Sequence, residues 1–324
     1  MVDTTPILDI RDLTVKFRSG GQLLPAVDRC SFSIGKGEVL GLVGESGSGK
    51  STTAMAMLGL LPKNAVIEGD AHFGGANILT LPETELTALR GRRISMIFQD
   101  PMSSLNPVLT VGEQVAEPLV AHYGLPPMEA QTRALELLDR VKIPDARRRL
   151  HSYPNELSGG LRQRVMIAMA LACEPELLLA DEPTTALDVT VQAQILDLLL
   201  DLRDESGLSI LLITHDLGVV ANFADQVAVM YCGRLMETAP VNTFFDSPSH
   251  PYTEALIRSI PTDNGAPRLE TIPGSVPKLT DLPPGCPFST RCQHHFTACD
   301  ETVPVLREIA PSHFSACVRT PDYA

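Results

Sequence analysis

Two stretches of this chain carry residues spaced for phosphate chemistry. The first is Gly44-Glu45-Ser46-Gly47-Ser48-Gly49-Lys50-Ser51, followed by Thr52. It fits G-x-x-x-x-G-K-[ST] at every fixed position. The glycines let the backbone curl until several N–H groups face one anion. Lys50 adds a point positive charge for the β- and γ-phosphates of a nucleotide, and the Ser51 hydroxyl is placed to bind Mg²⁺. The flanking residues agree. Val39-Leu40-Gly41-Leu42-Val43 reads as a buried strand, and residues 52–60 read as a helix whose N-terminus favours negative charge.

The second stretch covers residues 157–188: LSGGLRQR and, after a helix-length gap, LLLADEPTTALD. Its apolar residues 177–180 lead into Asp181-Glu182. A carboxylate ending a buried strand is costly to hold unless something nearby uses its charge. Asp181 fits a Mg²⁺ partner, directly or through water. Glu182 fits the group that polarises the water attacking a γ-phosphate. Upstream, Ser158-Gly159-Gly160 opens a helix running to residue 172. Ser is a favourable N-cap, so a plainly capped amphipathic helix is one reading. The other is a second anion site made of hydroxyl, bare glycine backbone and helix N-terminus. A chain with one phosphate loop and one further anion-binding helix start can satisfy both by pairing head to tail with a second copy. Ser158 would then close over the partner's nucleotide.

Two single residues complete the set. Gln99 follows the strand-like Ile94-Ser95-Met96-Ile97-Phe98, where an amide can touch Mg²⁺ or the attacking water. His215 follows the apolar residues 211–214, at a place suited to sensing a γ-phosphate. Alone, a Gln there is ordinarily a surface residue and a His a structural one. Both assignments rest on position relative to the other motifs.

The elements that must hold these residues follow an α/β pattern. Residues 7–17 and 23–34 alternate apolar and polar residues, as antiparallel strands do. Strand signals recur at 38–43, 93–98, 176–180 and 208–213. The last two are nearly all apolar, as in a parallel sheet buried on both faces. Val191, Ile195, Leu198 and Leu202 recur at helical spacing. Residues 111–150 look helical and separate Gln99 from the Ser-Gly-Gly turn. From residue 240 the texture changes, with 13 of the 26 prolines in the last 85 residues. Long helices are not expected there. The expected organisation is a mixed core sheet with an antiparallel β subdomain and an inserted helical subdomain at about 100–165. Together these form a nucleotide-binding domain over 1–240, and a small Pro- and Cys-rich domain follows over 241–324.

Composition narrows the partners. The chain has 324 residues and a formal charge of −13, which argues against holding nucleic acid by phosphate neutralisation. No apolar run approaches the roughly 18 residues needed to cross a bilayer. The start, MVDTTPILDIRD, has neither a basic nor an apolar segment of a secretory signal, so a soluble, cytoplasmic protein is expected.

Cys30, Cys173 and Cys232 are scattered in apolar surroundings, where a free thiol behaves as a small hydrophobe. Cys286, Cys292, Cys299 and Cys317 instead fall within 32 residues, at spacings C-x₅-C-x₆-C-x₁₇-C. In a reducing compartment such a cluster points to metal. Four thiolates suit tetrahedral Zn²⁺ or an iron–sulfur cube. His294, His295 and His313 leave a mixed Cys/His zinc site open, and four unligated thiols are a further alternative.

Taken together, residues 5–260 resemble the ATP-binding subunit of an ABC transporter. The resemblance makes residues 44–51 the Walker A loop, Gln99 the Q-loop and residues 157–161 the signature. Asp181 and Glu182 become the Walker B pair, Ala186-Leu187-Asp188 the D-loop and His215 the switch histidine. Phe17 would stack on adenine, by its place before the Walker A loop. FQDPMSSLNP (98–107), DEPTTALDVTVQAQIL (181–196), SPSHPYTEAL (247–256) and the cysteine tail look like the oligopeptide/dipeptide/nickel importer subfamily. Leu161 stands where that subfamily usually has Met and the general signature Gln. Its side chain lies outside the phosphate-contacting Ser and Gly, so activity is expected to survive.

The resemblance implies ATP and Mg²⁺ as ligands and a [4Fe–4S] cluster on the four tail cysteines, with Zn²⁺ as the alternative. It implies a second, paralogous ATPase subunit, two transmembrane permease subunits and an extracytoplasmic solute-binding protein. The place would be the cytoplasmic face of the inner membrane. The competing function is a soluble ATPase of the same class acting on DNA or ribosomes. DNA-repair members carry long coiled-coil insertions between the two halves of the site, whereas 57 residues separate Gln99 from Leu157 here. Ribosome-acting members usually hold two ATPase units, and this chain has one copy of each motif.

Overall fold

A computed structural model describes residues 5–185, 187–260 and 271–319, with backbone alone at 101 and 102. The chain opens with an antiparallel pair, β1 (Leu8–Ser19) and β2 (Gln22–Ile34), in which Leu8 faces Ile34 and Ser19 faces Gln22. The all-apolar strand β3 (Val39–Val43) runs into the phosphate loop and helix α1 (Lys50–Met57). β4 (Ala65–Phe73) returns against β1, and β5 (Ala76–Asn77) against β4.

A helical stretch follows, broken by one strand: α2 (Glu83–Leu89), β6 (Ile94–Ile97), α3 (Pro101–Ser104), α4 (Val111–Tyr123), α5 (Pro127–Arg140), α6 (Ala146–Arg149) and α7 (Gly159–Leu171). β7 (Leu177–Asp181), α8 (Val189–Ser206) and β8 (Ser209–Thr214) come next. Then come α9 (Leu217–Phe223), β9 (Gln226–Tyr231), β10 (Arg234–Pro240), α10 (Val241–Asp246) and α11 (Pro251–Arg258). α12 (Ala298–Glu301), β11 (Arg307–Ala310) and β12 (His313–Ser315) lie in the Pro- and Cys-rich part.

These elements form two compact units. One is built mainly from Thr80–Ile213 and holds the Gln99, signature and Asp-Glu segments. Its strands β6, β7 and β8 are parallel, with Ile97 opposite Ala180 and Asp181 opposite Ile213. Leu177, Leu178, Leu179 and Ala180 are fully buried, as expected of a strand covered on both faces. Helix α7 packs against β6, α4, α5 and α8. Local chemistry sets the helix ends. Thr110 and Glu113 form a reciprocal capping box at the start of α4, and Gly124 ends that helix at φ 64°. Asp188 caps α8 by accepting from the Val191 N–H, and Gly207 ends it at φ 67°.

The other unit contains Leu8–Ile34, Val39–Leu79 and the described residues from Thr214 on. It carries the antiparallel sheet β2-β1-β4-β5, together with strands β3, β9, β10, β12 and β11. β3 and β9 pair in parallel, and the remaining pairs of that second set are antiparallel. α1 packs on β1 and β2, and α9 packs on β3. The Pro- and Cys-rich part is joined by backbone pairing, with Glu237 opposite Ser315 and Thr238 opposite Phe314. The buried Glu237 carboxylate fastens this seam. It accepts from the Ser249 and His250 N–H groups (2.8 Å each) and lies 2.7 Å from His313 Nε2.

Candidate active site

The phosphate loop is shaped by glycines that no other residue could replace without movement. Gly44 adopts φ 153°, and a Cβ there would come within 2.1 Å of the Met230 carbonyl oxygen. Gly49, at φ 108°, would meet the Ala26 oxygen at 2.6 Å. Gly49 takes the N-cap position of α1 and provides no side-chain cap, and the N-terminus of a helix favours an anion. Ser46 and Gly47 are exposed, while Ser48 and Lys50 are buried. The Lys50 ammonium donates to the Gly44 oxygen (2.8 Å), the Glu45 oxygen (3.1 Å) and Ser48 Oγ (3.3 Å). Ser51 and Thr52 are half-buried in the first turn of α1. Phe17 is half-buried on β1, opposite Leu24 and Ala65. His215 is exposed just beyond β8.

In the other unit, Asp181 is buried at the end of β7 and Glu182 follows it with a φ of 46°. That left-handed conformation is uncommon for a residue with a side chain. The Glu182 N–H is held by the Ile213 oxygen at 2.8 Å. One of its carboxylate oxygens accepts from both Gln99 Nε2 (2.9 Å) and Thr185 Oγ1 (2.8 Å). Gln99 and Glu182, far apart in sequence, are thus brought together. Thr185 escaped sequence reasoning, although it stands three residues after Glu182.

The signature helix has one unusual feature. Ser158 occupies the N-cap position of α7 with extended backbone, yet its side chain makes no cap hydrogen bond. Ser158 and Gly159 are exposed. Gly160 is fixed by packing: a Cβ there would sit 2.6 Å from Val191 Cγ1 at the start of α8. Asp188 is exposed and spends its side chain on the α8 cap. Ala186, assigned with it to the D-loop, lies outside the described residues.

The four tail cysteines line one cavity, with His294 and Phe288 beside them. Burial, reinforced by the neighbouring thiols, pushes Cys286 up to about 12. Burial also raises Cys292 and Cys317. Among the described residues, no three His, Cys, Asp or Glu side chains are arranged to hold a metal ion. Neither the expected [4Fe–4S] cluster nor its Zn²⁺ alternative thus has a metal-holding group among the described residues. Of the three histidines near these cysteines, His294 lines the cavity while the other two meet carboxylates. His313 is engaged by Glu237, and His295 lies 2.8 Å from Asp300.

Comparison with known proteins adds the decisive observation. Residues 27–185 match the family described as ABC transporter, and residues 236–299 match the family described as oligopeptide/dipeptide transporter, C-terminal region. The chain is 51% identical to the oligopeptide transport ATP-binding protein OppD of Salmonella typhimurium, over 97% of this chain and 93% of that one. The chain belongs to the ATP-binding subunits of ABC transporters.

OppD of Haemophilus influenzae is 52% identical, with 91% of each chain covered. Among solved structures, the dimeric MJ0796, a bacterial ABC transporter cassette, superposes with a TM-score of 0.65. It is 32% identical, and the match covers 72% of this chain and 98% of that one. The same cassette is also known as a dimer in a post-hydrolysis state bound to ADP and Pi, with the same TM-score. The fold expected from the sequence is thus the ABC ATPase fold. The alternative of a soluble ABC ATPase acting on DNA or ribosomes is not favoured, because the tail as well as the cassette matches transporter families. Among the described residues no helix is long and apolar enough to cross a membrane.

Proposed function

We propose that this ABC ATPase powers import of peptides or similar small solutes. The observation that carries the reading is Glu182. Its left-handed backbone and its bonds from Gln99 and Thr185, which orient the carboxylate, support a role as general base for the attacking water. Residues 44–52 would cradle the phosphates, with Lys50 supplying charge and Ser51 the Mg²⁺ hydroxyl. Asp181 would serve Mg²⁺, Gln99 the metal or the water, His215 the γ-phosphate and Phe17 the adenine. Residues 1–240 would form the nucleotide-binding domain and 241–324 the extension.

The uncapped Ser158 supports a head-to-tail dimer, in which Ser158, Gly159 and Gly160 close over a partner's ATP and Asp188 lies at the seam. The relatives named for oligopeptide transport support peptide as the solute class. The partners would be a paralogous ATPase subunit, two permease subunits and an extracytoplasmic solute-binding protein, with this chain peripheral on the cytoplasmic face of the inner membrane. ATP hydrolysis by the assembled transporter should rise when peptide is supplied with the binding protein. Stimulation by DNA or ribosomes instead would contradict the reading.

A [4Fe–4S] cluster on Cys286, Cys292, Cys299 and Cys317 belongs to the same proposal. The four thiols lining one cavity support this reading, since four thiolates can hold an iron–sulfur cube. Its role would be structural or redox-sensing, since ATP hydrolysis requires no electron transfer.

A further inference from the structure

Glu45, the second residue of the phosphate loop, is gripped at both ends. Its backbone N–H donates to Tyr252 Oη on α11 at 3.1 Å. Its carboxylate receives a two-pronged ion pair from Arg291, Nη1 to Oε2 at 2.6 Å and Nη2 to Oε1 at 3.1 Å. The Arg291 side chain is 4% exposed and that of Glu45 28%. Arg291 is itself fixed. Its Nε donates to the Pro273 oxygen at 2.9 Å, and Nη1 lies 3.3 Å from Tyr231 Oη. The guanidinium also sits 5.8 Å from the Tyr231 ring centre. A residue 246 positions downstream, between two tail cysteines, thus holds the loop that starts at Gly44.

The charge pattern says what the contact is for. Glu45 places a negative charge inside a loop whose other groups attract an anion. Unpaired, that carboxylate would oppose bound phosphates at short range. A planar, permanently charged guanidinium suits a half-buried carboxylate partner because it can bond both oxygens at once. Tyr252 and Arg291 together fix both the backbone and the side chain at the loop's entry, and fixing a loop in its binding shape raises affinity.

We infer that Arg291 is a positioning residue of the nucleotide site, through which the C-terminal extension neutralises Glu45 and sets the phosphate loop's affinity for ATP. The inference rests on residues 44–51 being the phosphate loop.

The test compares full-length wild type, Arg291→Met and the double variant Arg291→Met/Glu45→Gln. MgATP affinity is measured by calorimetry, and amide exchange is followed over residues 44–48. Arg291→Met should weaken binding about tenfold or more, because it leaves a lone carboxylate by the phosphates, and should speed exchange in the loop. The double variant should regain most of the affinity, a repair that a merely loosened tail would not show. Wild-type affinity in Arg291→Met, or no recovery in the double variant, would overturn the assignment. Should Arg291→Met not fold, Arg291→Lys replaces it. That variant keeps the charge but loses the fork, and unchanged loop exchange in it overturns the positioning role. Lys50→Ala is the control: undiminished ATP binding by that variant overturns the phosphate-loop reading instead.

Discussion

Gln99 Nε2 lies 2.9 Å from Glu182 Oε2, joining the end of one parallel strand to the residue after the next. The bond ties the carboxylate to the segment that follows β6. A change at either end therefore acts on the orientation of the other.

Glu182→Gln preserves shape but removes the base. It should keep ATP binding and slow hydrolysis by roughly 10²–10⁴-fold, the usual scale for a lost general base. It should also accumulate the ATP-closed dimer, detectable by gel filtration. Near-normal turnover in the assembled transporter would remove Glu182 from the chemistry.

The two anion sites separate by mutation. Lys50→Ala should abolish ATP binding to the isolated chain. Ser158→Arg should leave that binding intact while reducing hydrolysis of nucleotide held by the partner. Equal loss of affinity in the monomeric chain for both variants would contradict head-to-tail pairing.

Gly160 gives a packing test. A methyl group there meets Val191 Cγ1 at 2.6 Å, so Gly160→Ala should destabilise the chain by about 1–3 kcal/mol in urea unfolding, the usual cost of overpacking. Adding Val191→Ala should recover most of the loss. Additive destabilisation by the two changes would show that this contact does not decide the site.

His250 makes stability depend on pH. It is buried, its Nδ1 accepts the Tyr252 N–H at 3.0 Å, and burial lowers its pKa from 6.5 to about 3. The unfolded chain therefore binds a proton that the folded chain refuses. The contribution is full above pH 6.5 and is lost progressively as pH falls toward 3, by about 2 kcal/mol at pH 5. His250→Asn keeps a capping acceptor and should reduce the change in unfolding free energy between pH 7.5 and 5 by that amount, as measured by urea titration. An unchanged pH profile would exclude His250 as the cause.

The tail cysteines predict colour. Protein purified without oxygen should be brown, with broad absorbance near 400 nm that Cys→Ser changes diminish. Colourless protein with stoichiometric zinc and no iron would remove the cluster and leave the ATPase intact.

Much of this was legible in the sequence. The phosphate loop and β7 announce themselves because glycine spacing and apolar runs are local signals, and β1, β2 and α7 follow their expected bounds closely. Strands β4, β9 and β10 were not picked out. Residues 66–70 carry three charges or glycines that mask a strand, and the Cys232-Gly233 turn between β9 and β10 has neither Asn nor Asp to flag it. The grip of Arg291 on Glu45 and the hydrogen bond of Thr185 to Glu182 arise from three-dimensional proximity. No periodicity reports a partner 246 residues away. The left-handed backbone of Glu182 was equally hidden, since glutamate carries no preference for it.

ATP-driven peptide uptake by proteoliposomes holding the assembled transporter tests the central claim most directly. With the wild-type chain, labelled peptide should accumulate only when the binding protein and MgATP are on their proper sides. With Glu182→Gln, ATP should still bind but sustained uptake should vanish. Full uptake with the Glu182→Gln chain, or ATP hydrolysis by wild type that no peptide stimulates, would contradict it.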